Sequence, residues 1–299
     1  MRTRRMIVAA LLVALAIPGC ASGGGDGEAG DPPEGSADED LPVASPEPEA
    51  EQGPEPVWSA EFDGGPGEPL DEAEWTVSDR GDGYGNEELQ VYTGRPENVR
   101  QDGEGSLRLT ARAEPYTDPR GFSGEFTSGR VESTARFQYG RVEARILAPA
   151  GSGLWPAFWL FGDSLGDESW PEVGEIDIVE LLGDASELHS SVIAADEAGE
   201  RWLRTHVLQA EEPWGGRWVV YAVEWDADRI VFFADGEETF SVERSELAPE
   251  EQWPFDRPYS ITLNLAVGGW AGEPADDSHL PAEMLVDYVR VYDSEVTRG

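Results

Sequence analysis

Gly174-Glu175-Ile176-Asp177-Ile178-Val179-Glu180 sets three acids within six residues of an otherwise apolar run. In an extended strand alternate side chains share a face, so Glu175 and Asp177 point one way while Ile176 and Ile178 point into a core. Burying an unpaired charge is costly, and neighbouring carboxylates raise one another's pKa, so the acidic face must be wet or occupied. Glu180 lies five residues from Glu175 and is out of phase with it. A β-bulge near Ile178-Val179 absorbs the extra residue and returns Glu180 to the acidic face. In a straight strand the two Glu Cα atoms would stand about 16 Å apart at ~3.3 Å per step. Bulge, sheet curvature and two long side chains leaning inward have to close that gap.

Outward from this stretch, short alternating runs recur and long amphipathic helical patterns are scarce. Ser106–Arg112, Gly140–Ile146, Val219–Trp225, Arg229–Phe233, Thr239–Val242, Tyr259–Val267 and Met284–Tyr292 all read as strands. Asp235-Gly236 joins two of them as a two-residue hairpin turn. Regular strands broken by Gly/Pro/Asp loops, without βα alternation, predict an all-β chain: an antiparallel sandwich or jelly roll.

Charge narrows the function. The chain holds 61 acids against 21 bases, all of them arginine, for a net −40. Such a field repels phosphate backbones and anionic headgroups, which argues against nucleic acid and electrostatic membrane docking. A single cysteine excludes an internal disulfide, a cysteine-based zinc cluster and a CxxC redox motif.

That cysteine belongs to the N-terminus. Arg2, Arg4 and Arg5 precede an apolar run from Met6 to Ile17. Its length, about 18 Å as a helix, falls short of a ~30 Å hydrocarbon core and reads as a secretory signal over residues 1–19. Leu15-Ala16-Ile17-Pro18-Gly19-Cys20 resembles the bacterial lipoprotein box, which implies cleavage before Cys20 and a diacylglycerol on its sulfur. The rest of 20–56 is an acidic Pro/Gly/Ser-rich linker, with 11 acids and no base between Asp26 and Glu55. The head, 57–299, keeps 50 acids against 18 arginines. The expected arrangement is extracytoplasmic: a lipid anchor as the only membrane contact, a spacer, and a monomeric head.

Glu-Ile-Asp-Ile-Val-Glu resembles the ExDxxE active-site strand of glycoside hydrolase family 16, laminarinase-like branch. Trp58–Phe62, Tyr84–Tyr92, Ser128–Val131, Gly153–Trp159, Leu263–Gly269 and Val286–Tyr292 are similar to the family's segments in the same order. The resemblance implies a concanavalin-like jelly roll of two curved antiparallel sheets with a concave cleft, and retaining endo-hydrolysis of β-1,3 or mixed β-1,3/1,4 glucans. It makes Glu175 the nucleophile, Glu180 the acid/base, and Asp177 the residue that tunes and orients them. Retaining chemistry asks for carboxyl groups about 5–5.5 Å apart. Repulsion within the trio should keep one acid protonated near neutrality, as an acid catalyst requires.

Flat indoles suit the apolar faces of sugar rings, so Trp155, Trp159, Trp170 and Trp270 are candidate platforms. Asn86 and Arg130 resemble the family's hydrogen-bonding partners for sugars and the nucleophile region, and His189 the first of two histidines after the acid strand. Ile193 stands where the second would be. No cofactor is expected for catalysis. The likeness also implies a structural calcium held by Glu61, the Gly105 backbone and Asp287, with Asp287 as a plain surface acid the alternative. Two other readings compete: a non-catalytic β-glucan-binding protein, and another family specificity such as agarase, carrageenase or transglycosylase. A strongly negative head disfavours sulfated galactans.

Overall fold

The structure is a computed structural model that describes residues 54–298. The signal peptide, Cys20 and the linker as far as residue 53 lie outside the described residues. Two sheets are stacked around one apolar layer. In the first, strands run in the spatial order Arg201–Gln209, Glu187–Ala195, Glu175–Leu181, Leu154–Gly162, Tyr259–Val267, Arg130–Ser133 and Trp75–Val77. In the second the order is Glu237–Glu243, Arg229–Ala234, Trp218–Trp225, Gly140–Leu147, Ala282–Tyr292, Leu107–Thr117, Ser123–Ser128 and Gln90–Tyr92.

Period-two burial explains why these residues form these strands. Phe158, Leu160, Ile176, Leu263 and Leu265 of the first sheet meet Val142, Ile146, Val223, Phe232 and Val289 of the second inside the sandwich. Their neighbours point outward, so each sheet has an outer face. Asp235 and Gly236 both adopt positive φ, 49° and 83°, between the paired Ala234 and Glu237. That is the conformation a twisted hairpin asks of a two-residue loop.

One pairing departs from the antiparallel expectation. Gln90–Tyr92 runs parallel to Ser123–Ser128. About thirty residues separate the two segments, enough for the crossover connection that a parallel pair needs.

The strand that carries the acids sits between Leu154–Gly162 and Glu187–Ala195. Against the latter, Asp177 pairs with Ser191 and Glu180 with His189, so Ile178 and Val179 together oppose Ser190. Against the former, Trp159 pairs with Asp177 and Phe158 with Val179, leaving Ile178 as the extra residue. The bulge lies where the spacing of the acids demands it. The Ser190 hydroxyl donates to the Ile178 carbonyl at 2.9 Å and pins it. Ile178 and Val179 both enter the core, and the strand resumes with Glu180 facing out.

Candidate active site

Glu175, Asp177 and Glu180 share the outer face of the first sheet. Asp177 and Glu180 retain 5% and 8% exposure, and Glu175 is half-buried. Loss of water is the main force on all three, and it favours their neutral forms. Burial pushes the Glu175 pKa up to about 7; the Arg130 charge, the Trp170 indole and a hydrogen bond shared with Asp177 pull it back. Burial, then the charge of Glu175, pushes Glu180 up to about 8, against a hydrogen bond from Trp155. Asp177 is held well above the carboxylate range by burial and by repulsion from both glutamates. The three titrate as one coupled group, in which burial and mutual repulsion favour retention of a proton.

The tryptophans divide into two kinds. Trp155 is buried, and its indole N–H donates to Glu180 Oε1 at 3.0 Å. It holds the acid and offers no open ring face. Trp159 donates to Asn264 Oδ1 at 2.8 Å, and the Arg130 guanidinium lies 4.8 Å over its ring. Trp170 and Trp270 are 44% and 53% exposed, and these two present open indoles. Trp270 packs edge-on against both Trp155 and His189. His189 lies opposite Glu180 in register, with Nε2 3.2 Å from a Glu187 carboxylate oxygen. The two are not aligned for a hydrogen bond. Burial holds the imidazole's pKa down despite Glu187. Ile193 faces Glu175 in register and adds no titratable group there.

Arg130 lies between the rings of Tyr84 and Trp159. Asn86 donates to Glu88 Oε1 at 3.3 Å. Glu88 itself is a fourth carboxylate of the cleft, with 8% exposure. It accepts from Gln90 Nε2 at 2.6 Å and from the Tyr92 hydroxyl at 3.2 Å. Sequence reasoning passed over it, although a signal was present. Glu88, Gln90 and Tyr92 alternate with Leu89 and Val91, the pattern of a polar strand face.

The side chains expected near a structural calcium each meet an arginine. Both Glu61 oxygens accept from Arg290, at 2.9 and 2.7 Å, and Asp287 accepts from Arg145 at 2.7 Å. Among the described residues no group of three or more His, Cys, Asp or Glu side chains could hold a metal ion.

A cavity of about 760 Å³, lined by Tyr139, Arg141, Glu224 and Tyr292 among others, opens on the second sheet, away from the acids. On the acid-bearing face the exposed indoles of Trp170 and Trp270 border the buried acids.

The sequence profile of the glycosyl hydrolases family 16 matches residues 86–290, a span that includes Asn86, Glu88, the acid strand and Trp270. A β-glucanase of Rhodothermus marinus is 38% identical over 256 residues, 79% of this chain and 84% of that protein. The glucan endo-1,3-β-glucosidase A1 of Niallia circulans is 31% identical over 284 residues, 87% of this chain and 41% of that longer protein. Among solved structures, the laminarinase of Rhodothermus marinus superposes with a TM-score of 0.71 at 37% identity, over 81% of this chain and 98% of that one. Sandwich, bulged acid strand and a match that spans both sheets agree: the chain belongs to glycosyl hydrolases family 16.

Proposed function

We propose that the chain is a retaining endo-glucanase that cleaves β-1,3 linkages, or β-1,3 linkages within mixed glucans. The observation that carries this reading is the bulge at Ile178. It sets Glu175, Asp177 and Glu180 on one face, where burial raises both glutamates and the charge of Glu175 raises Glu180 further.

Ionised Glu175 attacks the anomeric carbon while Glu180 gives its proton to the departing glycosidic oxygen. Glu180, now a carboxylate, takes a proton from water, which releases the sugar from Glu175 and restores both groups. Protonated Asp177 hydrogen-bonds to Glu175, orients it and spreads its charge. Trp155 fixes Glu180. Trp170 and Trp270 supply stacking surfaces for sugar rings. Activity needs Glu175 ionised and Glu180 protonated, so kcat/KM is bell-shaped and centred near neutrality. The same reading keeps 57–299 as the catalytic domain, monomeric and tethered outside the cell through Cys20. β-Glucanase relatives on both sides of the comparison support the substrate class.

Product analysis on laminarin, lichenan, agarose and carrageenan tests the proposal. Oligosaccharides from laminarin, with lichenan cut more slowly or equally, are expected, and early products observed by NMR should carry the β anomer. Initial α product would overturn the double displacement. Cleavage confined to agarose or carrageenan would overturn the substrate.

A further inference from the structure

Glu88 is buried in the cleft yet takes no part in the displacement just described. Two chains of hydrogen bonds end on it, and each begins at a group that can only donate. The Trp159 indole N–H donates to Asn264 Oδ1, which fixes the amide so that Asn264 Nδ2 donates to the Tyr92 oxygen at 3.2 Å. The Tyr92 proton then goes to Glu88 Oε2. The Val267 backbone N–H donates to Gln90 Oε1 at 2.7 Å, so Gln90 Nε2 also donates to Glu88 Oε2. Asn86 Nδ2 donates to Oε1. Neither an indole N–H nor a backbone N–H can reverse its direction. Every one of these bonds is therefore donated to Glu88, as a carboxylate requires; burial still outweighs them and the Arg130 charge, and leaves the Glu88 pKa above its ordinary value.

The anion is placed to act on the acid. Gly269 has φ +56°, and a Cβ added there would lie 3.3 Å from Glu88 Cγ and 3.0 Å from Trp155 Cζ3, so the two side chains flank one glycine. Trp155 is the residue that holds Glu180. The charged and titratable groups around this pair come from several elements. Tyr92 and Arg130 act on Glu88, with Tyr84 packed against Tyr92 and Arg130; Glu175, Asp177 and His189 face Glu180.

We propose that Glu88 is a positioning residue, a buried anion held ionised by the two donor chains, which keeps Glu180 protonated for its role as general acid. The inference rests on the catalytic roles assigned above. In this role Glu88 acts through its charge and not by contact with the reacting atoms. Its charge makes Glu180 a weaker acid, and Trp155 sets the distance over which that charge acts.

The test is the pH profile of kcat/KM on laminarin for wild type, Glu88→Gln, Glu88→Asp and Tyr92→Phe, together with a ¹³C NMR titration of the Glu180 carboxyl. Glu88→Gln should bring the alkaline limb, and the Glu180 midpoint, down by about one pH unit. Glu88→Asp should restore most of the shift, and Tyr92→Phe should give a smaller shift of the same sign. Coincident limbs in wild type and Glu88→Gln, or an upward shift, would overturn the inference. If Glu88→Gln does not fold, Tyr92→Phe decides by the same criterion. If the wild type does not hydrolyse laminarin, the catalytic assignment fails, and the NMR midpoints still decide whether Glu88 governs the Glu180 proton.

Discussion

The outer faces of the two sheets hold similar side chains in opposite electrostatic states. On the second sheet every acid considered above has an arginine. Arg141 bonds Glu143 and Glu224, each at 2.9 Å, Arg145 bonds Asp287, and Arg290 forks onto Glu61. Its rings are covered as well: Arg145 lies over Trp218 and Arg290 over Tyr288. The Arg290 hydrogen bonds hold Glu61 below the usual carboxylate range. On the first sheet Glu175, Asp177 and Glu180 crowd together with indoles for partners, and burial drives all three pKa values up. One face has settled its charges. The other holds them in tension, and that tension is what proton transfer uses.

The comparison can be broken most decisively by exchanging a glutamate on each face. Glu175→Gln should lower laminarin hydrolysis by about 10³-fold or more, since it removes the attacking group. Glu143→Gln, in the paired network, should leave kcat/KM within about twofold of wild type, because its loss is a partly exposed ion pair. Equal effects from the two would erase the distinction.

Stability against pH gives the next contrast, with opposite signs on the two faces. A carboxyl whose folded pKa is raised contributes stability that is complete below its unfolded value and lost as pH rises through the folded one. Glu180, raised to about 8, therefore weakens the fold on the alkaline side. Glu180→Gln should melt roughly 5 °C higher than wild type near pH 9 and together with it near pH 4. A gain of the same size at both pH values would assign the effect to packing.

The smallest effect concerns Glu61. Its depressed pKa contributes stability that is present above the unfolded value and lost as pH falls through the folded one. Arg290→Met should cost about 0.5 kcal/mol in urea unfolding at neutral pH, the scale of a solvent-screened pair, and close to nothing near pH 2. A cost that survives at low pH would point to the lost stacking on Tyr288.

How far the molecule could be read in advance follows from the range of each interaction. The strands, the Asp235-Gly236 turn and the bulge at Ile178-Val179 were legible because period two and turn chemistry act between near neighbours in sequence. The acidic trio was legible for the same reason. Glu88 was not, since its meaning comes from Tyr92, Asn264 and Trp159, of which the last two lie on other strands, Asn264 172 residues beyond Tyr92. Trp155 offered equal grounds for sugar platform or core. Only the pairing of Ala157 with Glu180 shows that its indole serves the acid. Glu61 and Asp287 were named only through the resemblance, and the arginines that bond them come from other segments of the second sheet, which composition does not reveal.

The surplus residue at Ile178 has a further consequence for how this strand tolerates changes in length. If it were deleted with the bulge, plain alternation would still send the last glutamate outward, one step nearer its partner. Removing two residues, or adding one without a wider bulge, would turn that glutamate into the apolar layer. The length of the segment between Asp177 and Glu180 and the presence of the bulge thus have to change together, and a working cleft is a matter of parity before it is a matter of side-chain identity.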